Sequence, residues 1–347
     1  MELIIDNTRF TNFVSFNLTL AYNAIASAFT IKLYFDINNA EHRRLLRPGA
    51  SPICKIEHGG EVLITGYIIS YKFDEQADKQ VAQISGYSLP GVLEDCQFPP
   101  SFYPLQDDGL DLRNIVIKYL RPFGLGLQID GWVATDANTI IATSTGKPTQ
   151  SVREYLGELC SQLNIVMSHT DGGDVLLTRA LVENQQPAAV FTDGMPGVSM
   201  SLSFDGQRMH SEITVMQEPN LDGGNACEKS VSNPYVPIFK SAVLEQNSGD
   251  DNNTELAAIM ARSKELAGIK LTIQINKWDP SSVYGNIIIR PNLTIGVRNP
   301  NLYLKNTTKF FIESVDYAGD AKQMTATLHC VVPEVYSGTE PQNIFAQ

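Results

Sequence analysis

Five histidines, five cysteines and 38 carboxylates are the groups in this 347-residue chain that could do acid–base, nucleophilic or metal chemistry. Their spacing decides whether they do. A serine nucleophile on a sharp strand-to-helix turn needs the pattern G-x-S-x-G, so that the backbone can bend. Gly197-Val198-Ser199-Met200-Ser201 has serine in place of the second glycine. Thr145-Gly146-Lys147-Pro148 resembles the end of a phosphate loop, but Ile141 stands where the earlier glycine belongs and Pro148 replaces the metal-binding hydroxyl. No G-x-G-x-x-G follows a strand, which leaves a dinucleotide site without support. His42, His58, His169, His210 and His329 are scattered, with no ligand pair at i, i+4. His329 falls on the polar face of an expected strand, a surface or interface position.

Asp250-Asp251-Asn252-Asn253 lacks the alternation that turns carboxylates inward around calcium, and reads as a solvated turn before a helix cap. Glycoside hydrolysis needs two acids across a cleft. Glu154, Glu158 and Glu265 fall on helix faces expected to be exposed, and Trp132 and Trp278 are sparse for a sugar platform. Cys54, Cys96, Cys160, Cys227 and Cys330 are odd in number and far apart, without a CxxC pair. They read as reduced, mostly buried thiols rather than a disulfide framework or zinc site. No catalytic, cofactor or metal residues are assigned, and an enzyme is disfavoured.

With 43% hydrophobic and 18% charged residues, the chain reads as folded, at a length suited to two to four domains. A net charge of −12 argues against a protein whose main task is to neutralise phosphates. No apolar run approaches a membrane span. Met1-Glu2-Leu3-Ile4-Ile5-Asp6 has an acid where a secretion signal carries basic residues, and reads as a first strand. The N-x-S/T triplets at Asn17, Asn292 and Asn306 are accordingly taken as chance matches.

The elements that must position these groups follow from periodicity. Val14, Phe16, Leu18 and Leu20 alternate with polar residues, as do Phe29, Ile31, Leu33 and Phe35, predicting half-buried strands. Arg47-Pro48-Gly49 turns into a strand at Ile53 to Ile56, and His58-Gly59-Gly60 makes a hairpin turn. The strand from Val62 to Phe73 is apolar on both faces and should be covered on both. Val81 to Tyr87 closes a first β-barrel over 1–95.

Helical spacing then appears in Leu112, Ile115, Val116, Tyr119, Leu120 and Phe123, stopped by Gly124. Ser151 and Glu154 form a capping box for a second helix. Ile165 to Met167 and Val175 to Leu177 form a hairpin, making 96–185 a small α/β domain. Val198, Met200, Leu202 and Phe204 alternate with three serines, and Ile213 and Val215 continue the pattern. The 219–284 piece is read as an inserted α/β domain. In it Thr254 caps a helix whose apolar face is Leu256, Ile259, Met260 and Leu266. Residues 186–218 with 285–336 then form a second, discontinuous barrel, followed by a polar tail at 337–347. The expected class is α+β, mainly β.

An internal echo ties the two β regions. Arg47 to Val81 and Arg290 to Met324 each span 34 residues, with a strand, a loop, a long strand, an acidic turn and a strand in the same order. Two related barrels, or two unrelated antiparallel sheets, are both open on this ground.

The stretch Trp278, Gly285, Ile287, Ile288, Arg290-Pro291-Asn292 and the apolar strand after it resembles a segment of the baseplate hub proteins (tail protein D) of Mu-like contractile-tail phages. Pro48-Gly49, Gly60 and Thr65-Gly66-Tyr67-Ile68 are similar to that family's first-barrel segment, and Leu93-Glu94-Asp95-Cys96 to the stretch after it. Tyr155-Leu156 lies in a helix at a corresponding place. Ile289 departs from the aromatic or Met usual before the proline, and the 219–235 loop finds no counterpart.

The resemblance implies a non-catalytic homotrimeric ring, two similar barrels per chain. It would join a sixfold tail tube or adjacent baseplate proteins to a threefold central spike, in a virion assembled in the bacterial cytoplasm. DNA would pass without specific binding. A related hub occurs in type VI secretion spikes, whose chains usually run on into a long β-helix. A peptidoglycan-degrading tail-tip enzyme and a glycan- or receptor-binding β protein are the alternatives. The acidity reads either as a phosphate-repelling channel wall or as ordinary solubility.

Overall fold

In the computed structural model of the chain the described residues are all but 77–78, 143, 145, 148, 183–185, 218–227, 247–250, 277–287, 321 and 347. They gather into two units, one of Met1–Arg179 with Asp316–Ala326, the other of Ala180–Asn276 with 288–315 and Thr327–Gln347.

The first unit begins with β1 (Glu2–Ile5), β2 (Thr8–Phe10), β3 (Phe13–Ala21) and β4 (Ala28–Tyr34), then α1 (Ala40–Leu45), β5 (Ile53–His58), β6 (Glu61–Gln76) and β7 (Lys79–Ser88). The strands lie in the order β3-β4-β7-β6-β5-β1-β2, every neighbouring pair antiparallel. Period-two burial follows from the sequence: Phe16, Leu18 and Leu20 on β3, and Phe29, Ile31 and Leu33 on β4, are all buried. Gly59 and Gly60, at φ 59° and 89°, make the β5–β6 turn, a conformation that costs a side-chain-free residue little. The double-sided cover expected for Val62 to Phe73 holds only for the first half of β6. Leu63, Ile64, Thr65 and Gly66 are buried, then the register shifts between Ile68 and Ser70, and Ile69 and Phe73 are 48% and 40% exposed. A bulge bends the strand and re-aims the side chains beyond it.

The unit continues through α2 (Val92–Asp95), α3 (Leu112–Leu120), β8 (Leu127–Ile129), α4 (Ala134–Ala137), α5 (Val152–Gln162), β9 (Val166–His169) and β10 (Val175–Thr178). The helix signals hold. The stripe Leu112, Ile115, Val116, Tyr119 and Leu120 is buried, Gly124 closes the stretch at φ 64°, and the Ser151–Glu154 capping box is reciprocal. These helices pack with β8, β10 and β9, and Ile25 and Leu93 join their core.

The second unit holds β11 (Val190–Thr192), β12 (Val198–Phe204), β13 (Glu212–Gln217), β14 (Glu228–Ser232), β15 (Ser241–Gln246) and α6 (Asp251–Glu265). β16 (Ile269–Asn276), β17 (Thr294–Asn299), β18 (Leu304–Asp320, its end from Asp316 belonging to the first unit), β19 (Met324–Val331, its start to Ala326 likewise) and α7 (Glu334–Ser337) complete it. Its main strand order is β12-β16-β19-β18-β17-β11.

That order repeats the first unit's β3-β4-β7-β6-β5-β1, with the strands taken in the same chain sequence. The meander behind the 34-residue echo recurs in length too: 6, 16 and 10 residues in β5, β6 and β7 against 6, 17 and 8 in β17, β18 and β19. Backbone detail follows. Ile68 donates to the carbonyl of Pro52 in one copy, Ile312 to that of Leu293 in the other. The copies differ at the outer strand, where β1 pairs β5 antiparallel but β11 pairs β17 parallel. They differ also between their first two long strands, joined by 22–27 in one and by 205–268 in the other.

Four expectations need correcting within 205–268. Ile213 and Val215 do not continue the strand of Val198 to Phe204. β13 is the middle strand of a separate sheet, β14-β13-β15, so the inserted piece begins soon after Phe204 rather than at 219. Asp251-Asn252-Asn253 belong to α6 rather than to a turn (Asp250 lies outside the described residues), and Thr254 sits buried inside the helix instead of capping it. The inward row of α6 is Thr254, Ala258 and Arg262, continued by Leu266 in the turn just past its end, while Leu256 is 56% exposed. Arg262 faces inward with its two terminal nitrogens donating to the carbonyls of Ser232 and Thr339, and its Nε without a hydrogen-bond partner among the described residues.

Candidate functional site

The residues whose types suggested chemistry are dispersed. Ser199 and Ser201 lie in β12, a regular strand rather than a sharp turn. Gly146 and Lys147 form a loop before α5, while Thr145 and Pro148 lie outside the described residues, as do Cys227, Trp278, Gly285 and Ile287. His42 packs between the rings of Phe10 and Phe35 at 5.6 and 6.2 Å. His329 is half-buried on β19. Glu154 is spent in its capping box, and Glu158 is exposed. Glu265 is not on an exposed face: its carboxylate takes His210 Nδ1 at 2.6 Å and the His210 backbone N–H at 2.7 Å. Among the described residues no three His, Cys, Asp or Glu side chains gather as a metal would require. Cys54, Cys160 and Cys330 are buried and Cys96 half-buried, all as free thiols; burial pushes Cys54 and Cys160 up to about 12.

Two polar centres that periodicity could not reveal are built into the first unit. His169 on β9 donates from Nδ1 to the Thr170 carbonyl at 3.1 Å, which leaves Nε2 to accept from Ser27 Oγ at 2.6 Å. This is the hydrogen-bond skeleton of an activated serine without the carboxylate. Yet Ser27 is 1% exposed, and its oxygen also accepts the Ala21 N–H at 3.3 Å. Burial lowers the His169 pKa and keeps the ring neutral, against the opposing pull of the Thr170 carbonyl. The pair fastens β9 to the β3–β4 turn.

The second centre is Asp107, 2% exposed, whose carboxylate accepts from Tyr119 Oη at 2.6 Å, Tyr155 Oη at 2.9 Å and Lys118 Nζ at 2.5 Å. Its backbone N–H donates to Ser144 Oγ at 2.8 Å. Phe98 stands edge-on to both tyrosine rings, at 4.8 and 5.5 Å. The centre joins α3, α5 and the loops between them, and has the make-up of a structural clamp.

The surfaces offer more than the interior. In the first unit an open groove of about 710 Å³ runs between α1 and the outer part of β6. Phe35, Phe73 and Leu46 line it, with Arg43 and Arg47 balanced by Asp74 and Glu75. In the second unit the turn before β15 lifts Ile238 and Phe239 into solvent, 67% and 86% exposed. Sequence reading passed over that turn because Pro237-Ile238-Phe239 has neither helical nor strand period.

No family model matches the sequence, and no curated protein matches it. Solved structures do. The 43 kDa tail protein of prophage MuSo2 from Shewanella oneidensis superposes with TM-score 0.79 at 15% identity, over 96% of this chain and 98% of that one. A tail protein from Neisseria meningitidis MC58 gives 0.77 at 15%, covering 97% of each. The E. coli c3393 protein, a component of the type VI secretion system, gives 0.59 at 11%, over 99% of this chain and 80% of that one. At such identities the likeness is one of architecture, end to end: the chain has the fold of prophage tail proteins.

Proposed function

We propose that this chain is the structural hub of a contractile-tail baseplate, a ring of three copies joining a sixfold tail tube to a threefold central spike. The observation that carries the reading is the repeated strand order, β3-β4-β7-β6-β5-β1 and β12-β16-β19-β18-β17-β11. One chain supplies two like β modules, so three chains present six. In this proposal each module closes into a barrel, the ring leaves a channel through which DNA passes without specific binding, and carboxylates of the −12 chain keep phosphate from sticking. The protein acts in the virion after assembly in the bacterial cytoplasm, and works by shape rather than catalysis.

Light scattering and averaged electron micrographs of the purified protein test this together. Expected are a mass near three times 38.2 kDa and a six-lobed ring with a central hole. A stable assembly of two or four copies overturns the ring, and clearing of a peptidoglycan zymogram overturns the non-catalytic role.

A further inference from the structure

A side chain as apolar as Phe239 standing 86% exposed is unusual on a soluble surface. The turn that carries it is held rigidly. At its start Asn233 donates to the Ser211 carbonyl at 2.9 Å and its side chain accepts the Tyr235 N–H at 3.1 Å. At its end Lys240 and Ser211 are tied twice, the Lys240 N–H donating to the Ser211 side-chain Oγ at 2.9 Å and the Lys240 carbonyl accepting the Ser211 N–H at 2.7 Å. Pro234 and Pro237 fix φ in between. Ile238 and Phe239 are thus presented at little entropic cost to a partner, as an aromatic anchor should be.

The groove of about 710 Å³ in the first unit is a receptor of matching chemistry. Phe35 and Phe73, with ring centroids 4.9 Å apart, and Leu46 give it an apolar lining, and Ile37 at its rim is 47% exposed. Charge points to the same pairing. Copies of a −12 chain repel, so they meet best where acid is locally absent or balanced. Residues 233–240 contain no carboxylate and one lysine, and the groove sets two arginines against two acids. Anchor and receptor lie on different units of the chain, so each copy can give one and receive one, the heterologous contact from which rings close.

We infer that neighbouring copies are joined head to tail by the Ile238–Phe239 turn of one entering the Phe35–Phe73 groove of the next. This contact rests on the three-copy reading above and assigns it an interface.

Light scattering of the whole chain, wild type against Phe239→Asp and Ile37→Asp, tests it, with circular dichroism to check the fold. Both positions are exposed, so folding is expected to survive, and each substitution should raise the half-assembly concentration at least about tenfold. Separately, Phe239→Cys and Ile37→Cys chains of distinguishable mass are mixed and oxidised. A mixed disulfide dimer well in excess of either like dimer is expected, with no such excess for a Leu256→Cys control in place of Phe239→Cys. A wild-type trimer that both aspartate variants also form, with no mixed cross-link, overturns the contact and leaves the ring standing. A wild type that stays monomeric at all concentrations overturns both.

Discussion

At the scale of single residues, the most consequential side chain is one that no motif announces. Asp107 gathers two tyrosine hydroxyls and a lysine ammonium in a place where water does not reach its carboxylate. Removing it takes the shared carboxylate acceptor from both hydroxyls, so Asp107→Ala should lower unfolding stability by about 3 kcal/mol, read from the urea midpoint at unchanged m. A loss under about 1 kcal/mol would mean that the tyrosines find other acceptors. The same centre limits alkaline stability. Burial pushes the Tyr155 hydroxyl up to about 12, helped by its bond to Asp107 and opposed by Ser144. A phenol held above its ordinary value of about 10 contributes stability that is whole below pH 10 and eroded as pH climbs toward 12. The capping box was legible because its two members stand three residues apart. Asp107 was not, since Tyr119 and Tyr155 lie 12 and 48 residues away and only the fold brings them in.

At the scale of elements, alternation was a dependable guide where a strand has one wet face, as in β3, β4 and β19. It failed where the neighbours, not the strand, choose the face. Past the bulge β6 stays paired with β7, yet Ile69 and Phe73 there stand exposed. On α6 Leu256 of the apparent apolar stripe lies outside while Thr254, Ala258 and Arg262 face inward, the two terminal guanidinium nitrogens donating to the carbonyls of Ser232 and Thr339. Glycine marks the tightest strand contact. A Cβ on Gly86 would run into the carbonyl oxygen of Tyr67 and come 2.6 Å from Phe29 Cζ, and one on Gly66 would meet the Tyr87 carbonyl. Backbone cannot step aside as a flexible side chain does. Gly86→Ala is therefore expected to cost about 3 kcal/mol, the upper end for an overpacked site, in a denaturant titration. An unchanged midpoint would show that β6 and β7 separate easily.

At the scale of the whole molecule, the echo of 34 residues proved to be the visible part of a larger repetition. Six strands recur in order, yet only the meander kept enough sequence to be seen; the outer strands retained a pairing place and little else. In the proposed three-copy ring, association would work against charge. Three copies at −12 each repel over roughly 30 Å at 10 mM salt and roughly 10 Å at 100 mM. Raising salt at fixed protein concentration should therefore raise the trimer fraction seen by light scattering. A fraction that falls would identify ion pairs, rather than apolar anchors, as the cement.

The segment 205–268, present in one copy of the repeat and absent from the other, has a geometric result of its own. In a three-chain circle it would make odd and even positions unlike. A bound object sensitive to that added sheet would find its docking pose again only every 120°, whereas one touching the shared strands alone could settle every 60°. The same circle could thus be read with either periodicity, according to which part of each lobe is touched.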